Sequence, residues 1–287
     1  MLNELPEIFA REGFTLEEAK FFPELKESFW HVTVVNAAGN VVGAGFGNSK
    51  TYARKVAISE FLERDQFRKI NVSCESARNE WGLHLIPTGC GFAGGFNRQN
   101  VILRSVQEAA ERWVMSKWVD DHLQIDELKY SELQGLDPVS KYIISRFDSV
   151  RFFRKIIHVN LGDICFKVEV AQTMGLKSGG IFPGSSAQCV IGPIWQHALL
   201  ESFRHLLFIR NNPLRVDRFP DDKIHFFSKN AEIAMDIIMA ANQPVWPDPQ
   251  ILFHKVESYF DSRFFLARTI FDGWSPWNEG PVERFLY

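Results

Sequence analysis

Cysteines are few in this sequence, and it contains no long apolar run. Its four cysteines never stand in a CxxC pair, which favours reduced thiols over a disulfide framework in a chain of 287 residues. No apolar stretch reaches membrane-spanning length, and the acidic N-terminal stretch lacks the basic and apolar regions of a signal peptide. We therefore expect a cytoplasmic protein.

Net charge and flexible linkers are also scarce. The formal net charge of -3 creates no global field that would gather nucleic acid or an anionic membrane, so neither is an expected partner. Because 46% of the residues are hydrophobic, the chain can bury a sizeable core. We expect a single domain over residues 1–287, in which residues 221–287 form a helix and an aromatic tail that packs on the body. The sequence leaves the oligomeric state open.

Local patterns predict a mixed α/β chain. The β-branched stretches on both sides of residues 38–40 predict a hairpin that leads into a helix over about 52–69. A glycine-rich loop precedes a second predicted helix over about 98–118. Beyond it, the patterns predict a mostly helical stretch to 147, strands at 155–161 and 164–174, a Gly/Ser loop at 175–187, a helix from near Pro193 to before 211, and a helix near 231–240.

The first two helices end in the same motif, Glu-x-x-Glu-Arg. An offset of 48 residues aligns Glu60 with Glu108 without a gap. The same offset aligns the second glutamates and the arginines that follow them, which are Glu63 and Glu111, and Arg64 and Arg112. A third copy at an offset of 141 keeps one glutamate, Glu201, whereas the second glutamate and the arginine are replaced by Arg204 and His205.

This motif places carboxylates on a small-residue helix face. Steps of four, three and four residues stay on one side of a helix, so a single stripe contains Ala53, Ala57, Glu60 and Arg64. A carboxylate removed from water needs a charged or hydrogen-bonding partner. If the first two helices pack together, their four glutamates converge, and four like charges call for a divalent cation such as Mg²⁺ carrying phosphate.

Three other interpretations remain open at this point. Each Glu-Arg pair taken alone is also typical of an ion pair on a solvated helix face. His197, Glu201 and His205 share one stripe of the third helix, which suits a transition metal only if all three converge on it. Cys90, in a glycine-flanked loop, is compatible with an activated thiol or with a buried inert one.

The repeated segments resemble the motifs of the YcaO family. That family pairs a GKG…A…SA…ExxER helix with an SNG…AG…E…ExxER helix, and adds a third helix with a Glu and usually a Gln. Here the corresponding segments are GFGNSKTYARKVAISEFLER, GCGFAGGFNRQNVILRSVQEAAER and HALLESFRHL. The resemblance extends over about residues 42–220. It implies a YcaO-like fold, in which helices pack on antiparallel sheets with internal helix-motif repeats.

The resemblance also implies an activity, cofactors and partners. The implied reaction is ATP-dependent phosphorylation of a peptide backbone amide oxygen, so that a side chain or an external nucleophile forms an azoline, a thioamide or an amidine. The implied cofactors are Mg²⁺ and ATP, and the implied partners are a peptide substrate and a protein that delivers it. The implied metal ligands are Glu60, Glu63, Glu108 and Glu111, and the implied nucleotide site adds Arg64 and Arg112. Arg204, which stands where the family usually has a Gln, is a further candidate for the nucleotide site, where it could replace a lost phosphate contact or neutralise the carboxylates.

Several positions differ from the family pattern. The Lys of GKG, the Ser before the first Glu, the Asn of SNG, the loop Glu and the third-helix Gln are replaced by Phe46, Val56, Cys90, Asn100 and Arg204. Most of these changes remove polar groups that the resemblance places near ATP. A second hypothesis is therefore a degenerate, non-catalytic YcaO-like module that binds a peptide or a partner protein.

Overall fold

A computed structural model describes residues 13–26, 29–189, 194–212, 221–276 and 282–284. Within these ranges the chain has a mixed α/β architecture, with ten strands in three antiparallel sheets and seven α-helices. No helix in these ranges combines the length and the apolar character needed to cross a membrane. The chain divides into two compact units, the first built from residues 1–105 and 254–268 and the second from residues 106–253 and 269–287.

The first unit contains two of the sheets. Its first sheet has the order β1-β2-β3, formed by β1 (Thr15–Lys20), β2 (Trp30–Val35) and β3 (Val41–Gly47). Its second sheet comprises β4 (Phe92–Gly95) and most of β10 (Phe264–Phe271) and β9 (Ile251–Tyr259), in the order β4-β10-β9. The helices of this unit are α1 (Lys50–Asn71), α2 (Glu75–Glu80) and the beginning of α3 (Arg98–Asp120).

The predicted hairpin and the helix after it are confirmed. The Asn36 side chain accepts hydrogen bonds from the N–H groups of Ala38 and Asn40 in the turn between β2 and β3, where Gly39 adopts a positive φ of 78°. The Ser49 hydroxyl accepts a hydrogen bond from Tyr52 N at 3.2 Å and caps α1. The turn and the cap together fix where the helix begins.

Helix α1 packs its small-residue stripe against the first sheet. Ala53 and Ala57 are fully buried in one cluster with Val32, Val34 and Phe61. The contact is unusually close, because β3 presents glycines to the helix. The sequence prediction of a buried small-residue face is therefore confirmed.

The second unit contains one sheet and most of the remaining helices. The sheet has the order β5-β6-β7-β8, formed by β5 (Asp126–Leu128), β6 (Ser149–Leu161), β7 (Ile164–Lys177) and β8 (Gly180–Gln188). The helices are α4 (Pro138–Ile144), α5 (Ile194–Asn211), α6 (Asp221–Phe227) and α7 (Ala231–Ala240). Helix α5 packs on β8 and β7. The predicted start near Pro193 lies outside the described residues.

The predicted Gly/Ser loop at 175–187 is wrong, because this segment contains the end of β7 and nearly all of β8. Its small residues serve packing rather than flexibility. A Cβ added at Gly184 would collide with the backbone of α5 at Ala198 O and Ser202 N, and would lie 2.7 Å from Ser202 Oγ. Glycine at this position lets the helix lie directly on the strand.

Two further predictions need correction. The stretch up to 147 is less helical than predicted, since α4 covers only seven of its residues and β5 pairs with β6 instead. The hairpin of β9 and β10 was not predicted, although both segments are rich in β-branched and aromatic residues. Buried Arg268 of β10 donates to the carbonyls of Trp81, Ile86 and Thr88, so this strand organises the loop before β4.

The close approach of α5 to β8 predicts that Gly184→Ala destabilises the fold. The added methyl meets backbone atoms that can yield only if the helix moves, so we expect a loss of about 2 kcal/mol or more in the free energy of unfolding. Gly89→Ala is the matched control, because its new Cβ would meet nothing nearer than 3.8 Å. Urea unfolding midpoints measure both, and an unchanged midpoint for Gly184→Ala would contradict the packing described.

Candidate functional site

Glu60 of α1 is anchored to the strand beneath it. The backbone N–H of Ala44 on β3 donates to Glu60 Oε2 at 2.8 Å, and Arg64 pairs with Oε1 at 2.5 Å. At Gly43, an added Cβ would lie only 2.6 Å from Ala57 O. The close approach that glycine permits thus brings a strand amide within hydrogen-bonding distance of a helix carboxylate.

Glu63 is the more deeply buried of the two motif glutamates of α1. Its side chain is 18% exposed, and the N–H of Gly94 on β4 donates to Oε2 at 2.6 Å. Arg104 of α3 lies 3.7 Å from the same oxygen and also donates to Gly94 O at 2.8 Å. Because both contacts are to Oε2, Oε1 has no hydrogen-bond or ion-pair partner among the described residues.

Burial changes the acidity of Glu63. Its pKa is raised from 4.5 to about 7, chiefly because the carboxyl group is removed from water; the nearby Glu60 carboxylate contributes to this rise, and Arg104 and the Gly94 amide oppose it. The negative charge of Glu63 is therefore costly in the absence of a further cation. A divalent cation on the available oxygen would compensate this cost.

In the second unit, Ser185 of β8 connects two carboxylates. Its backbone N–H donates to Glu201 Oε2 of α5 at 2.7 Å, and its hydroxyl donates to Glu111 Oε1 of α3 at 2.7 Å. The hydroxyl oxygen also lies 3.3 Å from Glu201 Oε2. Glu111 is 12% exposed, and Arg112 lies 3.5 Å from its Oε1. Two carboxylates and one guanidinium thus share a largely buried site.

Burial shifts the pKa values of Glu111 and His205 in opposite directions. Burial raises the pKa of Glu111, Arg112 opposes the rise, and Glu201 reinforces it. Burial lowers the pKa of His205, although Glu201 opposes this fall. His205 Nδ1 lies 2.7 Å from Pro183 O, and because a carbonyl only accepts, this nitrogen carries the proton. A neutral His205 adds no positive charge to the pair of carboxylates.

The two anchored helices follow one plan at the sequence offset of 141. Ala44 N donates to Glu60 in the first unit, and Ser185 N donates to Glu201 in the second. The same offset relates the glycines that allow close approach, because Gly43 would meet Ala57 O and Gly184 would meet Ala198 O. The third copy proposed from sequence is confirmed in its geometry, with His205 at the position equivalent to Arg64.

The remaining predicted residues lie in different surroundings. Glu108 is half-buried on α3 in the second unit, and Arg204 is exposed on α5. The convergence of all four motif glutamates on one cation stays a prediction, because the structure describes each pair within its own unit. The sequence patterns did not indicate Arg104 as the partner of Glu63. Ser185 was also not predicted, although its offset of 141 from Ala44 was an available signal.

No three His, Cys, Asp or Glu side chains within either unit come together as a ready metal site among the described residues. The transition-metal interpretation of His197, Glu201 and His205 is therefore wrong. The available donors are single carboxylate oxygens. Such hard donors suit Mg²⁺, which proteins commonly bind through one or two carboxylates while water and substrate phosphates complete its shell.

The family positions that differ in sequence have local structural roles. Phe46 stacks on His31 at 4.3 Å between ring centroids and contacts Phe21 at 5.0 Å. Cys90 is buried, and its N–H donates to the Thr88 hydroxyl. Asn100 is exposed, and its N–H donates to the side chain of Asn97 at the start of α3. These three residues therefore have packing or capping roles within the first unit.

Comparison with known proteins identifies the fold. No protein-family model matches the chain, and no curated protein matches it in sequence. The chain is similar to YcaO from Methanopyrus kandleri bound with AMPPCP and Mg²⁺, with a TM-score of 0.57 and 12% identity over 96% of this chain and 90% of that one. It is also similar to the E. coli microcin synthetase McbBCD complex with pro-MccB17 bound, with a TM-score of 0.59 and 10% identity over 90% and 87% of the two chains.

A third solved structure gives the same result. A heterocyclase in complex with substrate and cofactor matches with a TM-score of 0.56 and 9% identity, over 96% of this chain and 54% of that one. The low identities mark a divergent sequence on a shared backbone. The chain therefore has the YcaO fold that its motifs predicted.

The raised pKa of Glu63 predicts a specific pH dependence of stability. The folded carboxyl titrates near 7 and the unfolded one near 4.5, so its charge costs nothing below pH 4.5 and destabilises the folded state progressively up to about pH 7. At about 1.4 kcal/mol per pKa unit, the full cost is on the order of 3 kcal/mol.

Glu63→Gln removes this charge and should make the protein more stable than wild type at pH 8 but not at pH 4.5. Unfolding in urea across this pH range measures the difference. Glu17→Gln, which changes an exposed carboxyl on β1, is the control and should follow the wild-type curve. Parallel curves for wild type and Glu63→Gln would show that burial does not shift this group.

Proposed function

We propose that this chain binds Mg²⁺ together with ATP and activates the amide of a peptide. The proposal rests on two buried carboxylates that each have an available oxygen and a raised pKa. In both Glu63 and Glu111, all hydrogen bonds and ion pairs with described residues go to one oxygen and leave the other available. Burial also raises the pKa of both, so a cation would stabilise their charged forms.

The proposed ligands come from the repeated motif. Metal ligation is assigned to Glu60, Glu63, Glu108 and Glu111, and nucleotide binding also involves Arg64, Arg112 and Arg204. Arginine pairs well with phosphate because its planar guanidinium donates two parallel hydrogen bonds. The fold supports this assignment, since the similar YcaO from M. kandleri is bound with AMPPCP and Mg²⁺.

The proposed reaction is phosphoryl transfer to a peptide amide. When bound, Mg-ATP would supply a phosphoryl group to the amide oxygen, and this group leaves as phosphate after a nucleophile attacks the amide carbon. The residues of this chain would bind and orient the phosphates, and their burial would limit the access of water. The product would be an azoline, a thioamide or an amidine, according to the nucleophile.

A peptide substrate and a second protein complete the proposal. Among the structures with this fold, the E. coli microcin synthetase is a multi-component complex with pro-MccB17 bound, and a heterocyclase is bound to its substrate. By analogy, we assign this chain a ribosomally made peptide as substrate and a partner that delivers it. This assignment rests on the fold and not on a described contact.

A non-catalytic peptide-binding module is the second candidate, and one observation favours it. In the first unit each motif glutamate already faces a guanidinium, since Arg64 pairs with Glu60 and Arg104 lies beside Glu63. Internal neutralisation of this kind reduces the need for a metal. Phe46 also favours this second candidate, because its ring belongs to an aromatic cluster where the family has a lysine.

Thermal unfolding with and without Mg-ATP tests the proposal. A ligand that binds only the folded state stabilises it by about 2.7 kcal/mol at a concentration of one hundred times Kd, so we expect the wild-type Tm to rise by several degrees and only when Mg²⁺ is present. Glu108→Gln should abolish this rise without unfolding the protein. Glu75→Gln, an exposed change on α2, should retain it.

The outcomes separate the two candidates. No stabilisation of the wild type by millimolar Mg-ATP would overturn the proposed activity and favour the non-catalytic module. Stabilisation that persists unchanged in Glu108→Gln would remove this glutamate from the site. Release of phosphate from ATP only in the presence of a peptide would support catalysis rather than binding alone.

A further inference from the structure

Ser185 is the only described residue whose backbone and side chain both donate to carboxylates of the motif helices. It lies on β8, and only 6% of its surface is exposed. Its amide donates to Glu201 Oε2 at 2.7 Å, and its hydroxyl donates to Glu111 Oε1 at 2.7 Å. One small residue therefore holds a carboxylate of α3 and a carboxylate of α5.

The donor count at Ser185 leaves each carboxylate half-satisfied. A serine hydroxyl carries one proton, and its shorter contact assigns that proton to Glu111 rather than to Glu201, which lies 3.3 Å away. Arg112 approaches the same oxygen of Glu111 at 3.5 Å. Glu111 Oε2 and Glu201 Oε1 consequently have no hydrogen-bond or ion-pair partner among the residues that the structure describes.

The related helix of the first unit shows what the hydroxyl adds. At the equivalent position, Ala44 also donates its amide to Glu60, but its methyl group cannot bind a second carboxylate. The other oxygen of Glu60 is occupied by Arg64. At the position equivalent to Arg64, His205 interacts with Pro183 O through Nδ1. Where the first unit has a carboxylate paired with an arginine, the second unit thus has two carboxylates bridged by a serine.

We propose that Ser185 is a positioning residue, which holds Glu111 and Glu201 in fixed orientations so that their available oxygens can act on one divalent cation. The inference rests on the proposed function, because it assumes that the cation arrives with a nucleotide. Without the hydroxyl, Glu111 would lose its hydrogen bond to β8, and the repulsion between the two like charges would then be unopposed. The serine thereby preorganises a site that repulsion would otherwise open.

Fixed carboxylates should matter more for Mg²⁺ than for Ca²⁺. Mg²⁺ requires near-ideal octahedral geometry at short distances, whereas Ca²⁺ accepts irregular shells at longer distances. Loss of the anchor therefore lowers the preference for Mg²⁺ in addition to lowering affinity. This change of selectivity separates a positioning role from a general loss of stability.

The test uses Mn²⁺ as a paramagnetic probe in the presence of AMPPCP. The electron paramagnetic resonance signal of free Mn²⁺ reports its displacement from the full-length protein by Mg²⁺ or by Ca²⁺. For Ser185→Ala we expect Mg²⁺ affinity to fall about tenfold, which corresponds to one net hydrogen bond to a charged group, and Ca²⁺ affinity to fall about threefold or less. Ser185→Thr, which keeps the hydroxyl, should restore most of the Mg²⁺ affinity.

Ser186→Ala is the matched control. Ser186 is adjacent on β8, faces the other side of the strand and makes no hydrogen bond to Glu111 or Glu201. Its affinities for both cations should equal those of the wild type. Should Ser185→Ala fail to fold, Ser185→Cys, which keeps similar volume but donates weakly, carries the same expectation.

Each result has a defined meaning. Wild-type affinities in Ser185→Ala would overturn the positioning role and leave the proposed function intact. Equal losses for Mg²⁺ and Ca²⁺ would also overturn it, because they indicate a merely structural effect. A wild-type protein that binds neither Mn²⁺ nor Mg²⁺ with AMPPCP would overturn the proposed function, and the inference with it.

Discussion

The hydrogen bond from a strand amide to a buried helix carboxylate is the interaction on which the candidate site depends. It occurs from Ala44 to Glu60, from Gly94 to Glu63 and from Ser185 to Glu201. Each bond orients a carboxylate that would be costly to bury alone. Each also commits only one oxygen to the backbone, so the fold itself presents the second oxygen to other partners.

Close packing makes these bonds possible. The strands carry glycine where the helices cross them, as at Gly43 and Gly184, because any larger side chain would separate strand and helix. Such a separation would lengthen or break the hydrogen bond between them. Each unit therefore combines a strand glycine with a helix glutamate in one arrangement, formed by β3 and α1 in the first unit and by β8 and α5 in the second. The offset of 141 residues relates the two arrangements.

The two units differ in the charged groups that surround this repeated arrangement of glycine and glutamate. In the first unit, Arg64 and Arg104 lie beside the carboxylates. In the second unit, a serine bridges two carboxylates, of which Glu111 lies near one guanidinium. Burial favours a neutral His205 at the position equivalent to Arg64. This difference explains why both the metal-binding and the non-catalytic hypotheses find support in one chain.

The sequence was sufficient for the parts that depend on local spacing. The Glu-x-x-Glu-Arg repeat, the buried stripe of Ala53 and Ala57 and the hairpin before α1 follow from helical and strand periodicity. Strand β8 was missed because Gly184 and Ser185 are turn-forming residues by composition, and only the helix above them explains their place in a sheet. The contact of Arg104 with Glu63 joins two helices, and a single sequence carries no signal for such a pair.

Calorimetric titration of the protein with AMPPCP, in the presence and absence of Mg²⁺, tests the account most directly. The account predicts saturable binding that requires Mg²⁺, since the anchored carboxylates alone would repel the phosphates. Equal binding without Mg²⁺, or no binding at millimolar nucleotide, would contradict the claim that these carboxylates are anchored to hold a cation.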